Sequence, residues 1–138
     1  MKVFITGGSG FIGRRLIKRF ENVTVYDRRL NLSNQLEETH PDLIFHFGAE
    51  IYDEDKMFNS NVLLSLEILE YCRKYKTRLI MCGSSSEYGS KMNPMKETDA
   101  LEPVCIYQGT KAAASMLAQS WANTYKFQVT LIRPFTVY

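Results

Sequence analysis

A glycine-rich run near the N-terminus and a tyrosine–lysine pair near the C-terminus are the reactive features of this sequence. The run is Thr6-Gly7-Gly8-Ser9-Gly10-Phe11-Ile12-Gly13, spaced GxxGxxG between a β-rich stretch and an amphipathic one. Such a run makes a phosphate cradle. Gly7 permits a tight turn off a strand, Gly10 lets backbone approach a pyrophosphate with no Cβ in the way, and Gly13 lets helix and strand pack closely. The amides at the helix start, around Phe11 and Ile12, face the phosphates, and the helix dipole favours their charge. Asp27 follows twenty residues after Gly7, where a carboxylate accepts hydrogen bonds from ribose hydroxyls. Its charge repels a 2′-phosphate, so the expected cofactor is NAD, with NADP less favoured. Arg28, beside it, either stacks on adenine or meets a 2′-phosphate.

The pair is Tyr107-Gln108-Gly109-Thr110-Lys111. Residues four apart at a helix start share one face. A free phenol is a poor base at neutral pH, and an ammonium one turn away favours the phenolate. Ser84, Ser85 and Ser86 follow a β-rich stretch, where sites in parallel sheets form. A hydroxyl there can bond a substrate oxygen beside the tyrosine. Tyr-x-x-x-Lys alone is a frequent accident among eight tyrosines. Its weight comes from its place after the serines and downstream of the glycine run.

Other residues of chemical interest read more simply as structure. His46 lies on an apolar strand and is expected to pack there with one nitrogen bonded, and His40 before Pro41 reads as surface. Asp53-Glu54-Asp55 precedes a helix and complements its dipole; no metal is expected. Cys72, Cys82 and Cys105 are odd in number and widely spaced, which points to reduced, mostly buried thiols and a cytoplasmic protein. Trp121, Met116 and Leu117 read as packing.

The elements that would position these residues alternate β-rich and amphipathic runs, the pattern of βαβ units and a parallel sheet. Strands are expected at 2–6, 23–26, 43–47, 78–82 and 128–132. Helices are expected at 11–20, from between Asp55 and Asn59 to about Tyr75, and at 107–125. Leu30-Asn31-Leu32 reads as a short further strand, with Ser33 capping one or two helical turns through Glu38. Residues 89–106, with Pro94 and Pro103, read as a loop. The fold class is therefore α/β: a Rossmann-type, doubly wound parallel sheet of five to six strands in a single domain over 1–138.

Composition sets the outer limits. The 138 residues are 45% hydrophobic and 23% charged, ordinary for a soluble globular domain. No apolar run approaches the roughly 20 residues of a membrane helix, and the N-terminus has no signal-peptide core. A net charge of +2 gives no reason to expect nucleic acid or an anionic membrane as partner.

The sequence resembles the NAD-dependent epimerase/dehydratase family, the extended short-chain dehydrogenase/reductase type acting on nucleotide sugars. The matching points are TGGSGFIG, Asp27, Phe45-His46-Phe47-Gly48-Ala49, Asn61-Val62, SSSEYG, YQGTK and RPFTVY, in order along the whole chain. The resemblance implies that Phe47, Gly48, Ala49, Asn61 and Pro134 border the cofactor. It implies Tyr107 as catalytic acid/base, Ser84 as catalytic hydroxyl with Ser85 the alternative, and Lys111 as the residue that holds the nicotinamide ribose and tunes Tyr107. Glu87 lies near a dehydration residue of the family but one position out of register, and is given no such role.

Three departures stand out. The segment from Asp27 to Leu43 is short, as in dTDP-4-dehydrorhamnose reductase and related branches. Thr136 replaces the usual Asn. The chain stops where the family continues into a C-terminal substrate domain, so that domain is expected to be lacking and turnover by this chain alone to be slight. The expected function is NAD-dependent hydride and proton transfer at a sugar carbon of a nucleotide-sugar substrate, by epimerisation, dehydration or reduction. The alternatives are a non-catalytic NAD-binding module or remnant, and an NAD(P)-dependent reductase of small carbonyls. Apolar residues on more than one face of the helices at 57–75 and 107–125 (Met57, Phe58, Leu63, Leu64, Met116, Leu117, Trp121) predict a homodimer, and the resemblance implies a four-helix contact from that pair.

Overall fold

A computed structural model describes residues 1–138. Five strands form one sheet: β1 (Val3–Thr6), β2 (Val23–Val25), β3 (Leu43–His46), β4 (Arg78–Cys82) and β5 (Val129–Ile132). All pairings are parallel and the order is β2-β1-β3-β4-β5. Side chains alternate between faces with the strand period of two. Phe4, Ile44, Leu79 and Met81 join the larger core, whereas Val3, Ile5, Leu43 and Phe45 join the smaller one.

Helix α1 (Phe11–Ile17) packs on the smaller core through Leu16 and Ile17. The larger core is closed by α2 (Leu32–Thr39), α4 (Leu64–Tyr75) and α5 (Ile106–Tyr125), with Leu36, Ile68, Leu69, Ala114 and Ala118 fully buried. Ala114 and Ala118 are one turn apart and small, which lets α5 sit close to the sheet. The short α3 (Glu54–Met57) continues into a π-helical segment at Phe58–Leu63 and then into α4.

Several boundaries differ from the sequence expectation. Leu30-Asn31-Leu32 forms no strand. Asn31 caps α2 by accepting a hydrogen bond from the Asn34 amide at 2.9 Å, so the helix starts at Leu32 and Ser33 is inside it. Leu32 and Leu36 are a turn apart and both buried, so the apparent strand period was half of a helical one. Helix α1 ends at Ile17, yet Phe20 still packs on the smaller core. The thiols are less buried than expected: Cys72 is buried, Cys82 half-buried, and Cys105, at the N-cap of α5, exposed.

The chain winds outward in two directions from β1 and β3. Helix α2 carries it from the edge strand β2 over β1 to β3, and later crossovers add β4 and β5 on the other side. The crevice of such a sheet opens at the strand C-termini where the winding reverses, here between the ends of β1 and β3. Gly7 follows β1 with φ of +72°. A Cβ there would lie 2.6 Å from the Gly48 amide nitrogen after β3. A Cβ on Gly13 would lie 2.2 Å from the Gly7 carbonyl oxygen. At Gly10 the only near atom would be the Gly7 carbonyl oxygen at 3.2 Å. Gly7→Ala and Gly13→Ala should each destabilise the fold by roughly 2 kcal/mol or more, through strain and overpacking. Gly10→Ala should stay within about 1 kcal/mol of wild type. Urea unfolding of the three variants measures the contrast, and equal losses would refute it.

Candidate functional site

The crevice holds a cleft of about 240 Å³ lined by Thr6, Gly7, Tyr26, Arg28, Gly48, Ala49, Asn59, Ser60 and Leu64. That is just under the usual range of small-ligand pockets, about 300–1,000 Å³, and suits one end of a dinucleotide. Gly7, Arg28, Gly48 and Ala49 are where the sequence places them. Tyr26, Asn59, Ser60 and Leu64 were not legible from the motif. Tyr26 adjoins Asp27, and Asn59 and Ser60 sit in the π segment beside Asn61, adjacency being the only available signal. Gly10 is open to solvent at the N-cap of α1, and Ile12 is half-buried behind it. Phe11 is exposed, with the Arg15 guanidinium 3.8 Å over its ring. Phe47 stacks on Phe45 beneath the loop.

Asp27 is engaged by Arg29 and not by Arg28. Arg29 Nε and Nη2 donate to its two carboxylate oxygens at 2.9 and 2.6 Å. The hydrogen bonds from the Arg29 side chain, then that from its amide, hold Asp27 down to about 2. The pair is surface-exposed, and such pairs are weak enough to open for a ligand. Gln35 braces the same turn by accepting from the Asp27 amide at 2.9 Å and donating to its carbonyl at 3.0 Å.

Asn61, a cofactor candidate from the sequence, turns its amide into the protein instead. Its Oδ1 accepts from the Glu50 amide at 2.7 Å, and its Nδ2 donates to the Glu50 carbonyl at 2.9 Å and to Thr110 Oγ1 at 3.0 Å. It is 1% exposed. Asn61 therefore holds the loop after Ala49 and presents no free polar atom to the cleft. Pro134 stands apart from the cleft residues, its carbonyl accepting from the Ser85 amide at 3.2 Å.

The serines and the Tyr107–Lys111 pair meet beyond the end of β4. Ser84 caps a 3-10 turn at Ser85–Tyr88, and its Oγ lies 2.6 Å from Ser86 Oγ. Burial pushes the Tyr107 phenol above the usual tyrosine value. The Ser84 hydroxyl draws it back, and burial wins. Lys111 is bonded to the strand below it. It is almost wholly buried, its Nζ donates to the Cys82 carbonyl at 2.7 Å, and burial lowers its own pKa. The β4 carbonyl, not the phenol, takes the ammonium.

Glu87 organises this corner. It is fully buried, and its Oε1 accepts from the Ser84 amide at 2.8 Å and from Ser115 Oγ at 3.0 Å. Its Oε2 accepts from Arg133 Nε at 2.7 Å, and Arg133 also donates to the Tyr88 hydroxyl at 3.1 Å. Gly83 leaves room for it, since a Cβ there would lie 2.4 Å from Glu87 Oε1. One carboxylate thus ties the serine turn to α5 and to the end of β5. Removing one partner of such a buried pair strands the other charge, at roughly 3–5 kcal/mol.

His46 has both nitrogens bonded, where one was expected. Nδ1 is 2.6 Å from Thr6 Oγ1 and Nε2 is 2.9 Å from Ser65 Oγ. The strand carries it to the same level as Thr6, its register partner in β1.

Fold and site together define a dinucleotide-binding domain with a Ser, a Tyr and a Lys gathered at the strand ends beside its cleft. The chain belongs to the NAD dependent epimerase/dehydratase family, which it matches over residues 3–138. It is 27% identical to a dTDP-glucose 4,6-dehydratase of Mycolicibacterium smegmatis, over 95% of this chain and 52% of that protein. It is also 27% identical to a probable UDP-glucuronate 4-epimerase of Rhizobium meliloti, over 100% of this chain and 54% of that protein. Among solved structures it is similar to MoeE5 in complex with UDP-glucose and NAD. The TM-score is 0.84 and the identity 26%, over 100% of this chain and 55% of that one. The chain thus spans about half the length of the relatives it matches. No helix is long and apolar enough to cross a membrane.

Burial, and then the charge of Lys111, push His46 from 6.5 down to about 3. The folded chain therefore keeps it neutral, while the unfolded chain takes up a proton below about 6.5. Stability from this residue is full above that pH and falls as the pH drops from about 6.5 towards 3, by up to about 1.4 kcal/mol per pH unit. Subtracting the urea-unfolding profile of His46→Gln from that of wild type should isolate this slope between pH 6.5 and 4.5. A flat difference would show that His46 is not buried neutral.

Proposed function

We propose that this chain is the NAD-binding half-site of an enzyme that moves a hydride and a proton at a sugar carbon of a nucleotide sugar. The observation that carries the reading is the convergence of Ser84, Tyr107 and Lys111 at the strand ends, in a sheet whose cleft opens between Gly7 and Gly48. The cradle fits the cofactor. Gly7 and Gly13 leave backbone where any Cβ would collide, Gly10 is bare, and Arg28 and Tyr26 line the far end. Asp27, released by Arg29, would accept the ribose hydroxyls.

Bound NAD would supply a hydride acceptor that is regenerated within the cycle or used once. The remaining chemistry falls to the chain. Tyr107 moves the hydroxyl proton of the reacting carbon. Its raised pKa keeps it protonated when nothing is bound, so it begins as an acid or needs a bound partner to become a base. Ser84, oriented through its amide by Glu87, bonds the same substrate oxygen. Lys111 has three N–H donors. With one spent on the Cys82 carbonyl, two remain for the nicotinamide ribose. Glu87 is fully buried with its carboxylate held by three donors, and it is not assigned a proton-removing role.

Gly10→Val should abolish NAD binding in calorimetry while the chain stays folded, and an unchanged affinity would sink the proposal. Tyr107→Phe should bind NAD nearly as well as wild type, yet lower turnover of UDP-glucose or UDP-glucuronic acid by on the order of 10²–10⁴-fold, the loss falling on kcat. The full enzyme, with any further domain it carries, is the form to assay. NAD binding with no turnover of any nucleotide sugar would favour a binding module instead.

We also propose a homodimer through the π segment, α4 and α5. Of the apolar residues that suggest the dimer in the sequence, Phe58, Leu63 and Met116 are exposed. Met57 is buried, and Leu64, Leu117 and Trp121 pack on the larger core, so the interface is narrower than the sequence suggests. Sedimentation should show a dimer at micromolar concentration that Met116→Lys weakens. A monomer throughout would count against it.

A further inference from the structure

A chain of buried polar groups runs from the cleft wall to the first turn of α5, and its direction is fixed. At one end the Gly48 amide donates to Thr6 Oγ1 at 3.0 Å. Thr6 Oγ1 meets His46 Nδ1 at 2.6 Å, and His46 Nε2 meets Ser65 Oγ at 2.9 Å. Ser65 Oγ donates to the Asn61 carbonyl at 2.7 Å. The Asn61 side chain donates to Thr110 Oγ1 at 3.0 Å, which donates to the Tyr107 carbonyl at 2.9 Å. Thr6, His46, Asn61, Ser65 and Thr110 are all buried, and no buried side-chain polar atom of the protein is left without a partner.

The hydroxyl protons decide the tautomer of the ring. Ser65 has one proton, and it goes to the Asn61 carbonyl, so Ser65 Oγ can only accept from His46. Nε2 therefore carries the hydrogen. Neutral imidazole then has a bare Nδ1, which accepts the proton of Thr6, leaving Thr6 Oγ1 free to accept from Gly48. The opposite tautomer would set bare Nε2 against a serine lone pair at 2.9 Å, two acceptors facing each other. The π segment contributes here. Widening the helix at Phe58–Leu63 leaves Asn61 able to serve the chain with its carbonyl and Thr110 with its amide.

We propose that His46, as its Nε2–H tautomer, is a positioning residue that couples the cleft wall at Gly48 to the placement of Tyr107. Through Thr6 it fixes the Gly48 amide, which lies against Gly7. Through Ser65 and Asn61 it fixes Thr110, and hence the turn that carries Tyr107. The proposal rests on the reading of the cleft as a dinucleotide site, and it assigns Asn61 and Ser65 to the link and not to contact with the ligand.

The test has two readouts. In nitrogen-detected NMR of the 138-residue chain without NAD, His46 should show a protected Nε2–H and a bare Nδ1. The opposite tautomer would overturn the proposal. Ser65→Ala, which removes only the hydrogen bonds to His46 and the Asn61 carbonyl and breaks the link at its centre, should shift the amide signals of both Gly48 and Tyr107. It should also weaken NAD about fivefold or more in calorimetry. In a Thr6→Val background, already broken, it should add little further loss.

A Ser65→Ala chain that melts normally and keeps its NAD affinity within about twofold would overturn the coupling, as would losses that multiply in the double variant. Should Ser65→Ala fail to fold, His46→Gln takes its place, since its amide can accept from Thr6 and donate to Ser65. It should retain both amide positions and near wild-type affinity, and loss of both would count against the link. If wild type does not bind NAD, the dinucleotide reading falls, and the amide shifts decide alone. Perturbation at both Gly48 and Tyr107 supports the chain, and perturbation stopping short of either one overturns it.

Discussion

The approach of the Gly7 backbone to that of Phe47 and Gly48 is the contact on which the site depends. Two parallel strands end side by side, and their onward turns must cross the same narrow space. A side chain on Gly7 would stand 2.6 Å from two backbone atoms of the opposing turn. Because Gly7 yields, the turn after β1 can fold back under α1, where Gly13 seats on its carbonyl. The cleft is what remains between these turns. Where Gly7 meets Gly48 its boundary is backbone, set by the sheet, and the side chains of Tyr26, Arg28, Asn59, Ser60 and Leu64 line the rest.

Around that cleft the protein tolerates buried polarity only where it is fully paired. An unpaired buried polar group costs roughly 1–3 kcal/mol, and a charge more. Glu87 meets this condition with three donors, and Lys111 meets it in part, with one of its three N–H groups on a carbonyl at the end of β4. These pairings place Ser84 and α5 relative to each other more tightly than apolar contact would, since each bond has a direction as well as a distance. The exposed Asp27–Arg29 pair obeys the opposite logic. Solvent screens it, little is lost on opening it, and the carboxylate stays available to a ligand.

The Tyr107–Lys111 pair shows how spacing fixes a shared helix face and leaves the partners of each side chain open. Four-residue spacing does put both side chains on one face of α5. Where the ammonium goes along that face is settled by the strand below it. The Cys82 carbonyl ends β4 directly under Lys111 and takes one of its hydrogens, while Tyr107 is left half-buried with Ser84 as its polar neighbour. In that arrangement Lys111 acts first on backbone, with one of its three N–H donors spent there.

Sequence alone determined the order of elements, the parallel sheet and the glycine cradle, because these follow from local patterns. Apolar periodicity names strand or helix, and a glycine with positive φ between a strand and a helix has few alternatives. It went wrong at Leu30-Asn31-Leu32, where three residues fit both periods and only the burial of Leu32 and Leu36 on the larger core chose the helix. Tertiary structure decided what each polar side chain faces. Asn61 reads as a ligand contact until α5 brings Thr110 to it. Glu87 reads as a stray acid until β5 brings Arg133. His46 reads as packing until β1 and α4 supply Thr6 and Ser65. Those partners are 40, 19, 46 and 49 residues away in sequence. No local spacing records a hydrogen bond between elements that meet only once the sheet has closed.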